Sequence, residues 1–258
     1  MTRPQFLTSP ANPLLKEVRR ANARGSTTQD GYCLAEGFHL LEEALRSKCE
    51  VKAVLATPAV ESRIRGLAGP RVFVLDDRLF QSVSGTEATQ GVLALVRPPA
   101  WNLDAVFRGQ PLVVVLEGVQ DPGNAGAIIR AAEAFGATGL LFLKGTVSPY
   151  GPKAVRASAG SVFRMPLVAG LDVAGARAAL EQHGLDVYAA VPSGQRDLAS
   201  VDLTRPCALI IGSEGSGVSD RLRAGAADLR IPTSGVESLN AALAAGILLY
   251  EARRQRGA

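Results

Sequence analysis

From residue 112 onward the chain repeats one pattern: a short apolar run, a turn, then a stretch of helical periodicity. The runs are Leu112-Val-Val-Val-Leu116, Gly139-Leu-Leu-Phe-Leu143, Asp186-Val-Tyr-Ala-Ala190 and Cys207-Ala-Leu-Ile-Ile211. Strands that are apolar on both faces cannot keep one face wet. They belong in a parallel sheet with helices on either side. This expectation constrains the chemistry, because open α/β sheets bind ligands at the carboxyl ends of their strands. The polar residues just after each run are therefore the ones to examine.

The first part of the chain reads as a smaller α/β domain. Asn12 to Arg24 has helical spacing, with Pro13 suited to a first turn. Glu36 to Arg46 places Phe38, Leu40, Leu41, Ala44 and Leu45 on one helical face. Val51–Leu55, Arg71–Leu75 and Gly91–Val96 read as strands. Adjacent prolines at Arg97-Pro98-Pro99 interrupt both helix and central strand. The expected organisation is a domain over 1–97, a linker over 98–111 and a second domain over 112–258.

Charge and cysteine content narrow the class. The net charge of +4 permits a polyanionic partner without requiring one. Its distribution is more pointed, with Lys16, Arg19, Arg20 and Arg24 near one end and Arg253, Arg254 and Arg256 near the other. Solvated helix faces would look the same. Cys33, Cys49 and Cys207 are widely spaced, so neither a disulfide framework nor a metal site is expected. His39 and His183 have no ligand cluster near them in sequence. No apolar run is long enough to span a bilayer and the N-terminus has no apolar signal core, so the cytoplasm is the expected compartment.

Three segments carry candidate chemistry. In Asp121-Pro122-Gly123-Asn124-Ala-Gly-Ala-Ile-Ile-Arg130 a turn enters a helix, with Asn124 a plausible N-cap and Arg130 able to reach the strand ends. A capped surface helix with one solvated arginine would read alike. In Gly212-Ser213-Glu214-Gly215-Ser216-Gly217 a glycine-rich loop follows a strand. It matches neither the dinucleotide nor the P-loop pattern. Its central Glu214 would repel a diphosphate and suits a cofactor bearing positive charge; a tight glycine turn is the plainer alternative. In Ile231-Pro-Thr-Ser-Gly-Val-Glu237-Ser238-Leu239-Asn240 a polar loop enters an alanine-rich helix. Ser238 and Asn240 sit where side-chain oxygens cap free amides.

Taken in order, Asn124…Arg130, Gly212-Ser-Glu214-Gly and Ile231-Pro…Glu237-Ser238-Leu-Asn240 resemble the three motifs of the SpoU/TrmH family of the SPOUT methyltransferases. Pro152-Lys-Ala-Val-Arg-Ala-Ser158-Ala-Gly160 resembles the family segment between the first two, and Ser213 is a small departure. The resemblance implies a C-terminal trefoil-knotted parallel-sheet domain, although knots are rare. It also implies S-adenosylmethionine as cofactor, no metal, and a homodimer formed through the C-terminal domain. Gly212, Ile231 and Leu239, with Ser238 and Asn240, would hold the cofactor. Asn124, Arg130, Glu214, Ser238 and Asn240 would form the catalytic set.

The N-terminal part, through Ser9-Pro-Ala-Asn12-Pro, Leu34-Ala-Glu36-Gly37 and Thr89-Gln90-Gly91, resembles the family's ribosomal-protein-like RNA-binding domain. The RNA-contacting set implied is Asn12, Lys16, Arg19, Arg20, Glu36 and Arg130. The reaction implied is 2′-O-methylation of a ribose in RNA, with 23S ribosomal RNA favoured over tRNA. Arginine stays protonated, so Arg130 is better suited to stabilising an alkoxide or phosphate than to acting as a base. Glu214 would orient it, and Asn124 would orient either the ribose or Arg130. Two rivals are a non-catalytic RNA-binding protein on the same fold and a dinucleotide-dependent oxidoreductase. The intact motif residues speak against the first and the missing glycine fingerprint against the second.

Overall fold

The computed structural model describes residues 4–65, 67 and 69–257. It divides into two compact units: the first ends at Pro99 and also takes in Tyr150–Arg164, and the second holds Ala100–Pro149 and the chain from Met165 onward.

The first unit contains β1 (Gln5–Phe6), α1 (Pro13–Arg24), β2 (Cys33–Glu36), α2 (Phe38–Arg46), β3 (Val51–Ala56), α3 (Glu61–Ile64), β4 (Arg71–Val74), α4 (Asp77–Gln81) and β5 (Val92–Val96). The strands form one mixed sheet in the order β1-β4-β3-β5-β2. Asn12 starts α1 by accepting from the Leu14 amide at 2.9 Å, and Gly25, left-handed at φ 59°, ends it. Leu15, Val18 and Ala21 of α1 are buried in a core with Leu34, Leu55, Phe73 and Leu93. Full burial of each leucine or valine side chain among them stabilises by roughly 1.5–3 kcal/mol. The helical period then leaves Lys16, Arg20 and Arg24 exposed on the opposite face.

The remaining elements are α5 (Leu103–Val106), β6 (Leu112–Leu116), α6 (Pro122–Ala134), β7 (Gly139–Leu143), α7 (Pro152–Ala157), β8 (Leu167–Leu171), α8 (Val173–Gln182), β9 (Asp186–Ala190), β10 (Arg196–Asp197), β11 (Cys207–Ile211), α9 (Asp220–Arg223), β12 (Ala227–Arg230) and α10 (Ala241–Gln255). Apart from α7 they form the second unit. Its sheet has seven strands in the order β10-β12-β9-β11-β6-β7-β8, all paired in parallel. One face packs Val113, Val115, Leu141, Ala208 and Ile210 against α5, α8 and α9. The alternate residues face α6 and α10, whose Ile128, Ile129, Leu248 and Leu249 are buried. At the end of α10, Arg256 donates to four carbonyls: Leu203 (2.8 Å), Gln110 (3.1 Å), Pro111 (3.1 Å) and Arg205 (2.7 Å). Among the described residues no helix is long and apolar enough to cross a membrane.

Two expectations about the first unit and its boundary need correction. The stretch 98–111 is not linker throughout. Asn102 caps α5, and Val106 and Phe107 enter the second core, because two large apolar side chains gain more from burial than from exposure. The segment 150–164, expected within the second domain, packs with the first unit. Arg164 pairs with Glu43, Arg156 lies 3.7 Å from Glu36, and the His39 ring nitrogen lies 3.2 Å from the Ala159 carbonyl.

Candidate active site

Because every strand pair in the second sheet is parallel, β6, β9, β11 and β12 all present their carboxyl ends at one edge. The loops leaving β9, β11 and β12 enclose a cavity of about 530 Å3 there. Residues 190–193 form one wall, 212–218 the second, and Ile231, Thr233 and Glu237–Leu239 the third. The wall from 212 to 218 is shaped by backbone. Ser213 and Gly217 exchange hydrogen bonds of 3.1 and 3.0 Å, folding the loop back on itself. A side chain on Gly212 would put a Cβ only 2.1 Å from the Gly217 carbonyl carbon. Glycine is therefore required at 212 by close approach.

The first and third candidate segments meet this loop through one chain of hydrogen bonds. Asn240 donates from Nδ2 to Asn124 Oδ1 at 3.0 Å, and Asn124 donates from Nδ2 to Glu214 Oε1 at 2.5 Å. Asn240 Oδ1 meanwhile accepts from the Ala242 and Leu243 amides, capping α10. The three motifs are thus tied together by amide groups whose donor and acceptor ends are both used. A second tie comes from Glu117, at the end of β6, which accepts from the Ser219 amide (2.7 Å) and hydroxyl (2.6 Å).

Gly212, Ile231, Ser238 and Leu239 line the cavity, while Asn240 holds Asn124. Three expectations change. Asn124 is not the cap of α6: Asp121 accepts from the Asn124 amide at 3.0 Å, because Pro122 takes the first helical position. Within one copy Glu214 is partnered by Asn124 instead of Arg130, and exposed Arg130 makes no hydrogen bond or ion pair with either among the described residues. Glu36 is not free to meet RNA. Its side chain is only 6% exposed and accepts from Ser84, Gly85 (3.0 Å) and Thr86 (2.7 Å). Lys16 and Arg20 are exposed, whereas Arg19 donates to Pro10 and Ser82. The wall Ala190-Val191-Pro192-Ser193 was not anticipated, although a proline-serine turn at the end of an apolar run signals it.

The cavity's electrostatics select its ligand. Glu214 and Glu237 contribute carboxylates. Arg223 is the sole cation among the described lining residues, and its guanidinium is engaged by Asp228, Nε to Oδ1 at 2.6 Å. That pairing holds the Asp228 carboxyl below its ordinary range. No free cation is left to meet a diphosphate, and the two carboxylates favour a ligand with positive charge. A cavity of this volume, walled by backbone groups and two carboxylates, fits S-adenosylmethionine with its sulfonium and ammonium groups.

Comparison with known proteins adds to this geometry. Residues 111–250 match the SpoU rRNA Methylase family and residues 12–94 match the MRM3-like substrate binding domain. The chain is 32% identical over 249 residues to the 23S rRNA (guanosine(2553)-2'-O)-methyltransferase RlmP of Bacillus subtilis (strain 168), covering 95% of this chain and 98% of the relative. The AdoMet-bound rRNA methyltransferase from Sinorhizobium meliloti superposes with a TM-score of 0.85 at 30% identity, covering 97% of each chain. The SpoU methyltransferase AviRb from Streptomyces viridochromogenes, in complex with AdoMet, gives 0.86 at 29% identity over 95% of this chain and 98% of the other.

Proposed function

The chain belongs to the SpoU rRNA methylase family, and from that premise we propose that it methylates a ribose 2′-hydroxyl in 23S ribosomal RNA. It is an RNA 2′-O-methyltransferase that uses S-adenosylmethionine. The observation that carries the reading is the Asn240–Asn124–Glu214 chain, which joins the three motifs beside the carboxylate-bearing cavity. Support for ribosomal RNA as substrate comes from the relative's printed activity and from the substrate-binding domain over residues 12–94.

When bound, S-adenosylmethionine supplies an electrophilic methyl group on a positively charged sulfur. Glu214 and Glu237 favour that charge in the cavity. Gly212 contributes backbone alone to its stretch of the wall, where the loop packs too closely for a side chain. Ser238 lines the cavity. Arg130 is the residue proposed to stabilise the attacking 2′-oxygen, as a permanently protonated donor. Within one copy Arg130 has no bond to Glu214 or Asn124. We therefore propose that a second copy completes the site. Leu243 (54% exposed) and Tyr250 (57% exposed) lie one heptad apart on α10 and offer that copy an apolar stripe. The knotted threading of residues 212–240 is part of the same proposal.

The test is transfer of labelled methyl from S-adenosylmethionine to 23S ribosomal RNA by purified protein. The product should carry one ribose that resists alkaline cleavage. Label on a base, or label confined to tRNA, would overturn the reading.

A further inference from the structure

The first unit carries a second concavity, of about 560 Å3, lined by Phe38, His39, Glu42, Val60, Arg63 and Gln90. The Arg63 guanidinium carbon lies 3.6 Å from the centroid of the Phe38 ring. Yet the Arg63 side chain is 62% exposed, so it remains largely open to solvent. An exposed guanidinium backed by an aromatic ring is a platform for a planar, electron-rich group. Glu42 Oε1 stands 3.9 Å from Arg63 Nη2, too far for a hydrogen bond, and offers two acceptor oxygens. Gln90 is fixed in orientation. Its Oε1 accepts from the Phe38 amide at 3.0 Å, a contact that Gly37 permits by adopting φ 101°. With its oxygen committed, Gln90 keeps Nε2 as a donor.

A stacking plane with two carboxylate acceptors and one amide donor specifies its occupant closely. Guanine alone among the four RNA bases presents two neighbouring N–H donors, at N1 and N2, next to a carbonyl acceptor at O6. Adenine and cytosine each offer one amino group beside an acceptor nitrogen, and uracil offers a single N–H. A phosphate would meet the Glu42 carboxylate and be repelled. We propose that this concavity binds an unpaired guanine of the substrate RNA, stacked on Arg63 with its N1 and N2 donors on Glu42 and its O6 on Gln90. The inference rests on the reading of the protein as an RNA methyltransferase. It adds a base-selective subsite in a unit that does not contain the cofactor cavity.

The test uses the full chain and fluorescence anisotropy at one fixed salt concentration, since phosphate contacts make all such affinities salt-dependent. The probes are labelled uridine nonamers with a single central guanosine, inosine, adenosine or cytidine. The guanosine probe should bind about tenfold more tightly than the adenosine and cytidine probes, the scale of one stacked and paired base. Inosine, which lacks the N2 amino group, should fall between them. Glu42→Gln should erase the difference between guanosine and inosine. Arg63→Lys keeps the charge but loses the plane, and should weaken the guanosine probe about tenfold. Both substitutions are at the surface, and unchanged melting midpoints would confirm the fold.

Equal affinity of the wild-type protein for all four probes would overturn the proposal, as would full guanosine selectivity in Arg63→Lys. Methyl transfer to 23S ribosomal RNA is measured alongside. Normal transfer without base discrimination overturns the subsite alone, whereas absent transfer by the wild-type protein overturns the function on which it rests.

Discussion

Asn124→Asp is the sharpest probe of the candidate active site, because it keeps the side chain's shape and reverses one hydrogen bond. Asn124 receives a bond from Asn240 at 3.0 Å and donates one to Glu214 at 2.5 Å. Aspartate can still accept from Asn240. Toward Glu214 it would present an oxygen where a donor stood, and two like charges would face each other. At about 3 Å and an effective dielectric of about 40, chosen because Glu214 is exposed, the repulsion is about 3 kcal/mol. The lost bond to a charged acceptor adds roughly 1.5–3 kcal/mol. Local relaxation and water will absorb part of this sum, which leaves about 3 kcal/mol at the site. Expressed in the transition state, that is about a hundredfold in kcat/KM for methyl transfer.

Asn124→Ala loses both bonds but creates no like-charge pair, and the repulsion of about 3 kcal/mol outweighs the one bond that aspartate keeps, so at neutral pH Asn124→Ala should retain more activity than Asn124→Asp. The assay is kcat/KM for labelled methyl transfer to 23S ribosomal RNA, with cofactor affinity measured separately by calorimetry. Acid returns a proton to the introduced carboxyl and restores a donor, so Asn124→Asp should recover relative to the wild type as the solution is acidified. The reasoning is refuted if Asn124→Asp matches the wild type, or exceeds Asn124→Ala, at neutral pH.

Three further outcomes are expected. Gly212→Ala should abolish measurable cofactor binding by calorimetry and lower the melting midpoint, since its Cβ would sit 2.1–2.4 Å from backbone atoms of Gly217 and Val218; unaltered cofactor affinity would refute the close-approach argument. Arg256→Ala removes the fork that holds four carbonyls and should destabilise the protein by roughly 2–3 kcal/mol in urea unfolding, with Arg256→Lys restoring only part of the loss. Glu251 is held at about 2, below its ordinary 4.5, first by Arg254 and then by Gln255. A carboxyl lowered on folding contributes stability that is complete above about 4.5 and lost as the pH falls toward about 2. Glu251→Gln should therefore flatten the stability–pH curve across that window in acid-titrated unfolding.

Much of the second unit was legible from local pattern. Leu112–Leu116, Gly139–Leu143, Asp186–Ala190 and Cys207–Ile211 are strands over the residues expected. Strand Leu167–Leu171 was not anticipated. It lies at the sheet edge, has only Leu167 buried and contains Gly170, so it lacks the apolar run that marks a central strand. The displaced helix cap at Asp121 was legible, because proline favours the first helical position and Asp121 directly precedes Pro122. The partner of Glu214 was not. Asn124 and Arg130 lie on one helix, and which of them meets a loop 90 residues away depends on how that helix rotates against the sheet. The docking of residues 150–164 on the first unit depends likewise on Glu36 and Glu43, whose burial no local periodicity reveals.

The ties that build the active site also set when it can come into existence. Asn124–Glu214, Glu117–Ser219 and Asn124–Asn240 span 90, 102 and 116 residues of chain. Closing loops of that length costs only about 0.6 kcal/mol more per doubling, so the final state bears little extra burden. The burden falls on time, because contacts so distant in sequence slow the search for the native arrangement. No short fragment holds both ends of any of these ties, so the three motifs are joined only once the second unit is largely folded. By binding the folded domain, the cofactor at about a hundredfold above its Kd would add about 2.7 kcal/mol to the stability of that state. For this chain, supply of methyl donor and stability of the folded enzyme are thermodynamically linked.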